Sequence, residues 1–310
     1  MAHAHAGHTH ASARVADRPR LLAALGLILA LMAAELTVGI LARSLALLSD
    51  SAHMLTDAGA LALSLFALRL AARPAGGALT FGLRRVEILS AQANGLTLLI
   101  LAALIVYEAV ARLFSPPHVH AALTLAVALG GALVNLVAVA ILSGAGRESL
   151  NIEGSFQHLL TDLFGFLGTA VAAGVILLSG FQRADPLVSL LIAALMARSG
   201  YALVKASGRI FLEASPEQLD PQRIGLALAG QPGVVEVHDL HVWEVTSGFP
   251  ALSAHVLVAA DCDCHRARRR MEQMLHERFE LDHTTLQVDH EGGELLEISA
   301  PGGTGGSGPR

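Results

Sequence analysis

Six stretches of this sequence are each long and apolar enough to cross a lipid bilayer, and that restricts the fold more than any other feature. A spanning helix needs about 20 mostly apolar residues. Runs at roughly 21–42, 46–70, 86–113, 120–143, 152–179 and 186–207 meet that requirement. Hydrocarbon offers no water to backbone N–H and C=O groups, so apolar segments of this length are expected as helices that satisfy those groups internally. Composition agrees: only 15% of the residues are charged, against about 25% in a soluble globular domain.

The first run follows MAHAHAGHTHASARVADRPR, is too long for the apolar part of a signal peptide and shows no clear cleavage pattern, so it reads as a retained helix. Residues 1–20 read as a flexible tail carrying His3, His5, His8 and His10, and residues 21–208 as a six-helix transmembrane domain. After Phe211 the texture changes to dense charge, proline and short β-branched runs. Residues 209–292 are therefore expected as a separate α+β domain, and 293–310, ending GGTGGSGPR, as a disordered tail. Within that domain the pattern predicts helix Pro221–Ala229, strands Val234–Val245 and Leu252–Val258, helix His265–Glu280 and strand Thr285–Val288. This α-β-β-α-β order implies a small sheet with two helices on one face.

Arginine and lysine near helix ends favour the cytoplasmic side. Arg14, Arg18, Arg20, Arg69, Arg73, Arg84, Arg85, Arg147, Lys205 and Arg209 fall on one side, against Arg43, Arg112 and Arg183 on the other. With six spans, both termini and the α+β domain are then cytoplasmic, in the cell (inner) membrane. The net charge of −5 and the lack of a basic block with interleaved aromatics exclude nucleic acid as a partner. The only cysteines, Cys262 and Cys264, lie one residue apart in an acidic stretch and supply no disulfide framework.

Two apolar runs carry the same polar pattern, His53-Met-Leu-Thr-Asp57 and His158-Leu-Leu-Thr-Asp162. Positions four apart share a helix face, so each pair aims one imidazole and one carboxylate the same way. Two such helices side by side offer two nitrogens and two oxygens around one point, a set that suits tetrahedral zinc at about 2.0–2.2 Å. The alternative is polar contact between helices or His–Asp pairs satisfied locally. A carboxylate in the membrane costs about 2.5–3.5 kcal/mol on insertion scales, and ionisable groups there usually mark ion pathways. The repeated pattern favours a metal site.

The stretches SLALLSDSAHMLTDAGALALSLFA, TFGLRRVEILSAQANG, ESLNIEGSFQHLLTDLFGFLGT, ADPLVSLLIA and VHDLHVWEVTSGFPALSAHVLV resemble the zinc-exporting branch of the cation diffusion facilitator family, from about Arg20 to Asp289. The resemblance implies a homodimer of six-helix units with cytoplasmic ferredoxin-like domains, each protomer exchanging metal for protons by alternating access. It implies His53, Asp57, His158 and Asp162 as the transport site, and zinc as the cargo, with cobalt or cadmium as further candidates. HxxxD in both helices resembles the zinc branch, whereas relatives with Asp at the first of these positions tend to accept cadmium as well. The resemblance also places His238, His255 and Asp289 at a regulatory metal site in the soluble domain, and Arg85 with Glu213 as a charged pair at a cytoplasmic hinge. His238 and His241 have the alternative role of stabilising the hairpin while Trp243 packs.

The chain departs from some relatives. The loop after the second span, ArgProAlaGlyGlyAlaLeuThr, carries no ligand, and only SGAGRESLN joins the fourth and fifth spans, without a His-rich insert. The N-terminal histidines either collect metal loosely or are incidental to a tail. Asp261-Cys262-Asp263-Cys264-His265 reads as an acidic helix N-terminus ahead of a metal site. Asp185-Pro186 reads as an N-cap followed by proline at the first helical position. Asn94, Asn135, Glu35 and Glu87 have interhelical hydrogen bonding as their default role. The expected function is therefore divalent-metal efflux without organic cofactor or enzymatic step. The rivals are a membrane metal sensor and an intramembrane zinc hydrolase, the latter disfavoured because no HExxH is present.

Overall fold

The computed structural model describes residues 7–41, 45–115, 120–145 and 149–291, with the backbone alone at 7–17, 35, 38, 39, 41, 45–53 and 56. Helices α1 (Gly7–Leu41), α2 (Leu45–Ala71), α3 (Val86–Phe114), α4 (Ala121–Ser143), α5 (Leu150–Ser179) and α6 (Ala184–Phe211) come first. Helix α7 (Pro221–Ala229), strands β1 (Val234–Thr246) and β2 (Phe249–Val258), helix α8 (Cys264–Phe279) and strand β3 (His283–His290) follow. Helix α1 begins well ahead of Leu21, so residues 7–20, read from sequence as tail, are helical. His3, His5 and the tail after Glu291 lie outside the described residues.

Helices α1–α6 form a membrane domain. Four of them, α3 to α6, are long and apolar enough to span a bilayer by themselves, with mean hydropathies of 2.1, 2.5, 1.8 and 1.8. Their outward faces expose large apolar side chains such as Leu104, Tyr107, Phe114, Leu133 and Leu178, which belong in lipid and not in water. Inside, Leu21 and Ile28 of α1, Met54 and Leu61 of α2, Leu142 of α4, and Ile152 and Leu159 of α5 form one buried cluster. Helices α3 and α6 cross where Gly95 meets Gly200: a Cβ on Gly200 would sit 2.8 Å from the Gly95 carbonyl oxygen. Small residues are what let helix backbones approach so closely in a membrane.

A buried polar thread ties α2, α3 and α5 together. Asn94 donates to the Ser64 hydroxyl at 3.3 Å, Asn151 donates to the Ser64 carbonyl at 2.9 Å, and the Ser64 and Ser155 hydroxyls meet at 2.7 Å. Bonds of this kind between membrane helices contribute only about 0.6 kcal/mol on average. Their effect is on rotation and register, which they restrict to the setting where these groups face one another. Glu87, also buried, accepts from the Ser149 hydroxyl at the start of α5. Asn135 instead bonds within its own helix, to the Gly131 carbonyl. The side chain of Glu35 lies outside the described residues.

By its contacts, the tip of the β1–β2 hairpin, Trp243–Pro250, groups with the helical residues up to Ser215, while 216–242 and 251 onward form the second unit. At the tip Thr246 donates to the Arg84 carbonyl at 3.4 Å, Arg85 Nε donates to the Val245 carbonyl at 3.3 Å, and the Arg84 guanidinium lies 4.6 Å from the Phe249 ring centre. Ser247 accepts from the Leu150 amide at 3.2 Å. Thus the tip touches the two residues just ahead of α3 and the first residue of α5. Gly248, at φ 70°, supplies the left-handed residue that the two-residue turn requires.

In the second unit the strand order is β1-β2-β3, with β3 parallel to β2. Leu252, Ala254, Val256 and Val258 alternate inward along β2 and meet Ile224 and Leu228 of α7 and Ala267, Met271 and Leu275 of α8. Strand β1 breaks the alternation. Asp239 has φ 53°, and Val234, Val237, Leu240 and Val242 pack on the core, so the two-residue alternation is interrupted and Asp239 takes up an extra residue between Val237 and Leu240 as a bulge. Asp tolerates this left-handed setting better than most side chains. Helix α7 starts with Asp220 accepting from the Gln222 amide at 2.9 Å and with Pro221 at its first position. Helix α8 starts with Asp263 accepting from the Arg266 amide at 2.9 Å. Asp263 is thus the cap its sequence context implied, while Cys262 and Cys264 are partly buried against the core.

The expected start of the sixth helix is also overturned. Asp185 does not cap α6. The helix begins at Ala184 with Arg183 in the capping position and no side-chain cap, which leaves the Asp185 carboxylate to pair with Arg112 of α3 at 3.5 Å.

Candidate metal centre

Asp57 on α2 and His158 and Asp162 on α5 are brought together, all of them buried. The His158 Nε2 lies 2.9 Å from Asp57 Oδ1 and 3.7 Å from Asp162 Oδ2. Ligands about 2.1 Å from a tetrahedral ion are about 3.4 Å from one another. The two observed separations bracket that value, so small side-chain movements would suffice to close the three around a cation. Among the described residues this is the one group of three or more His, Cys, Asp or Glu side chains whose ligand atoms all lie within 4.8 Å of one another. His53 stands on α2 one turn before Asp57, and its side chain lies outside the described residues.

The hydrogen-bond chemistry of the cluster is specific. In the tautomer that carries its proton on Nε2, His158 donates to the Asp57 carboxylate. The other ring nitrogen, Nδ1, is buried and has no hydrogen-bond partner among the described residues. Two carboxylates and an imidazole at membrane depth cost several kcal/mol to insert. A bound cation would offset it.

From Asp162 a cavity of about 290 Å³ leads along α5 past Thr169 to Ser189, Glu108, Arg112 and Asp185, at the end of the unit formed by the C-terminus of α3 and the N-terminus of α6. Phe166, one turn beyond Asp162, lines it. Its ring is seated against α4 at Gly131, where a Cβ would come within 2.4 Å of the ring. At the opposite end Arg85 Nη2 lies 3.1 Å from Glu213 Oε1, the arginine half-buried and the glutamate exposed. A surface pair of this kind contributes only about 0.2–1 kcal/mol, and Arg85 also holds the hairpin tip through Val245.

The profile of the cation efflux transmembrane domain matches residues 21–212, and that of the cation efflux protein cytoplasmic domain matches residues 216–291. The chain belongs to the cation efflux family, the cation diffusion facilitators. Among its relatives is the cadmium, cobalt and zinc/H(+)-K(+) antiporter of Bacillus subtilis, 37% identical over 92% of each chain. The zinc transporter ZitB of Pectobacterium atrosepticum is 35% identical over 92% of this chain and 89% of its own. Among solved structures, the metal-bound C-terminal domain of the CzcD transporter from Cupriavidus metallidurans covers 23% of this chain and 97% of that one at 31% identity, with a TM-score of 0.22.

In the cytoplasmic domain of this cation efflux protein the expected ligands are spread over three strands. His238 of β1 and His255 of β2 stand edge to face with ring centres 5.4 Å apart. Asp289 of β3 is opposite Leu257, and Gln287 is the partner of His255. His255 and Asp289 are therefore diagonal neighbours on the open face of the sheet, and Gln287 between them donates to the Asp289 carboxylate at 2.8 Å. His238, His255 and Asp289 do not form a group with all ligand atoms within 4.8 Å. Glu236, not singled out from sequence, has a carboxylate oxygen 3.6 Å from His238 Nδ1. The His241 ring pairs at 2.9 Å with Asp239, the bulge residue. Glu236 and Gln287 become visible only once strand register is known, because each is one of many polar residues on an exposed face.

Proposed function

We propose that this protein exports a divalent transition-metal ion, zinc foremost, from the cytoplasm in exchange for protons, without making or breaking covalent bonds. The observation that carries the reading is the buried His158 held between Asp57 and Asp162 on adjoining helices. His53, on the face of α2 that carries Asp57, supplies the second nitrogen. To ligate, Nε2 must present its lone pair, so a cation entering the cluster displaces the proton that faces Asp57. Protons arriving from the far side reverse the exchange. One site with two mutually exclusive occupants, exposed alternately to the two sides, gives antiport. Zinc, cadmium and cobalt appear in the names of the relatives, and the two-nitrogen, two-oxygen set favours zinc among them.

The remaining parts of the reading concern assembly and control. The arginine distribution supports a topology with both termini and the C-terminal domain in the cytoplasm, the protein working as a homodimer in the inner membrane. His238 and His255 are a regulatory metal pair, completed by Asp289 once Gln287 turns aside. Arg85, in contact with both Glu213 and the hairpin tip, is the residue through which the tip acts on α3.

Purified protein in liposomes, given zinc on one side and an imposed pH gradient, tests the central claim. Zinc movement that rises with the opposing proton gradient is the expected result. Flux absent, or indifferent to the gradient, overturns export or proton coupling respectively.

A further inference from the structure

The cavity beyond Asp162 ends at three charged side chains for which the central site has no use. Glu108 and Arg112 are one turn apart on α3, and Asp185 lies at the start of α6. One guanidinium serves both carboxylates: Nη2 lies 2.5 Å from Glu108 Oε1 and Nη1 lies 3.5 Å from Asp185 Oδ2. Asp185 is available for this because it does not cap its helix. All three line the same cavity as Asp162, which makes them the charged side chains of that cavity beyond Asp162.

Two free carboxylates lining a cavity with mostly apolar walls would focus a strong negative potential on it. A dication arriving from the central site would be held there, and one already outside would be drawn back. With the guanidinium between them the triad carries a single net negative charge. We propose that Arg112 sets the release step of transport: by occupying both Glu108 and Asp185, it prevents the exit rim from retaining the departing cation. This rests on the export reading above, in which this end of the unit faces away from the cytoplasm. Lysine keeps the charge but not the fork that reaches two carboxylates at once, so Arg112→Lys is a graded version of the same change.

The test uses full-length protein in liposomes loaded with increasing zinc on the release side, with initial zinc transport measured at low and high salt. Arg112→Gln is expected to leave KM on the entry side unchanged, to lower kcat about fivefold, and to make release-side zinc about tenfold more inhibitory, with both effects shrinking at high salt because rim charges are screened. Arg112→Lys falls between. Adding Glu108→Gln to Arg112→Gln restores the rate, since it removes one of the carboxylates set free. Glu108→Gln alone, which needs no loss of the arginine, makes release-side zinc less inhibitory than in wild type.

Wild-type behaviour of Arg112→Gln overturns the proposal. So does a slow, salt-insensitive Arg112→Gln that Glu108→Gln does not rescue, because Arg112 would then be holding α3 to α6 and nothing more. If Arg112→Gln fails to fold, unchanged product inhibition in Glu108→Gln overturns the proposal independently. A wild-type protein that moves no zinc overturns the export reading itself.

Discussion

His158 and Asp57 meet at 2.9 Å across α5 and α2, and the contact joins two helices at the level where each carries its HxxxD pattern. A site divided between two helices can be opened or closed by their relative movement, which a site on one helix cannot.

Removing either partner should therefore stop transport without unfolding the protein. His158→Ala or Asp57→Asn is expected to reduce zinc flux in liposomes to about 1% of wild type or less, given that even outer partners of metal ligands cost 10–100-fold when lost. Chromatographic behaviour should stay unchanged. Flux near the wild-type level in either variant would remove the cluster from the transport path.

Selectivity is expected to depend on His53. His53→Asp leaves one imidazole and three carboxylates, a set that relaxes the demand for a compact tetrahedron and admits a larger ion. The variant should keep zinc flux, gain cadmium flux and lose part of its proton coupling. The measurement is zinc and cadmium uptake in matched vesicles across several pH values. An unchanged metal ratio in an active variant shows that His53 does not set selectivity.

The Phe166 ring, which lines the cavity, is seated where Gly131 leaves room for it. Glycine to alanine in a helix ordinarily gains about 1 kcal/mol. At Gly131, however, the new methyl group would lie 2.4 Å from the ring and must push it toward the cavity. Gly131→Ala should thus slow zinc transport several-fold without the usual gain in Tm, and Phe166→Ala in the same chain should restore the rate. Faster or unchanged transport in Gly131→Ala would show that the ring has another place to go.

Glu244, at the hairpin tip, has its carboxyl pushed above the ordinary range, chiefly by burial, while the Gly248 amide and Arg209 pull the other way. A carboxyl whose folded pKa is raised contributes stability that is complete below its unfolded pKa of about 4.3 and is lost as pH rises through the folded value. Glu244→Gln retains an acceptor for the Gly248 amide, 2.7 Å away in the wild type, and carries no charge to desolvate. Its Tm should therefore exceed that of wild type at pH 7, and the difference should vanish toward pH 4. A difference that is constant with pH would mean that Glu244 ionisation does not act on the fold.

Much of this protein is decided by residues close together in the chain. Membrane helices follow from runs of apolar residues, and helix α7 runs from Pro221 to Ala229 as its local pattern implies, because Asp220 and Pro221 together satisfy and shape a helix start. The HxxxD spacing by itself puts His158 and Asp162 on one face, since four residues are about one helical turn. Tertiary structure decided what those faces meet. Asp185 looked like a helix cap, and only the position of α3 shows its carboxylate on Arg112. Glu236 and Gln287 became neighbours of His238 and Asp289 through strand geometry and the bulge at Asp239. Phe166 is seated against Gly131, 35 positions away in sequence, through the packing of α4 on α5. Local sequence encodes the period and ends of an element, whereas contact between elements depends on rotation and register, which are settled jointly by packing across the whole unit.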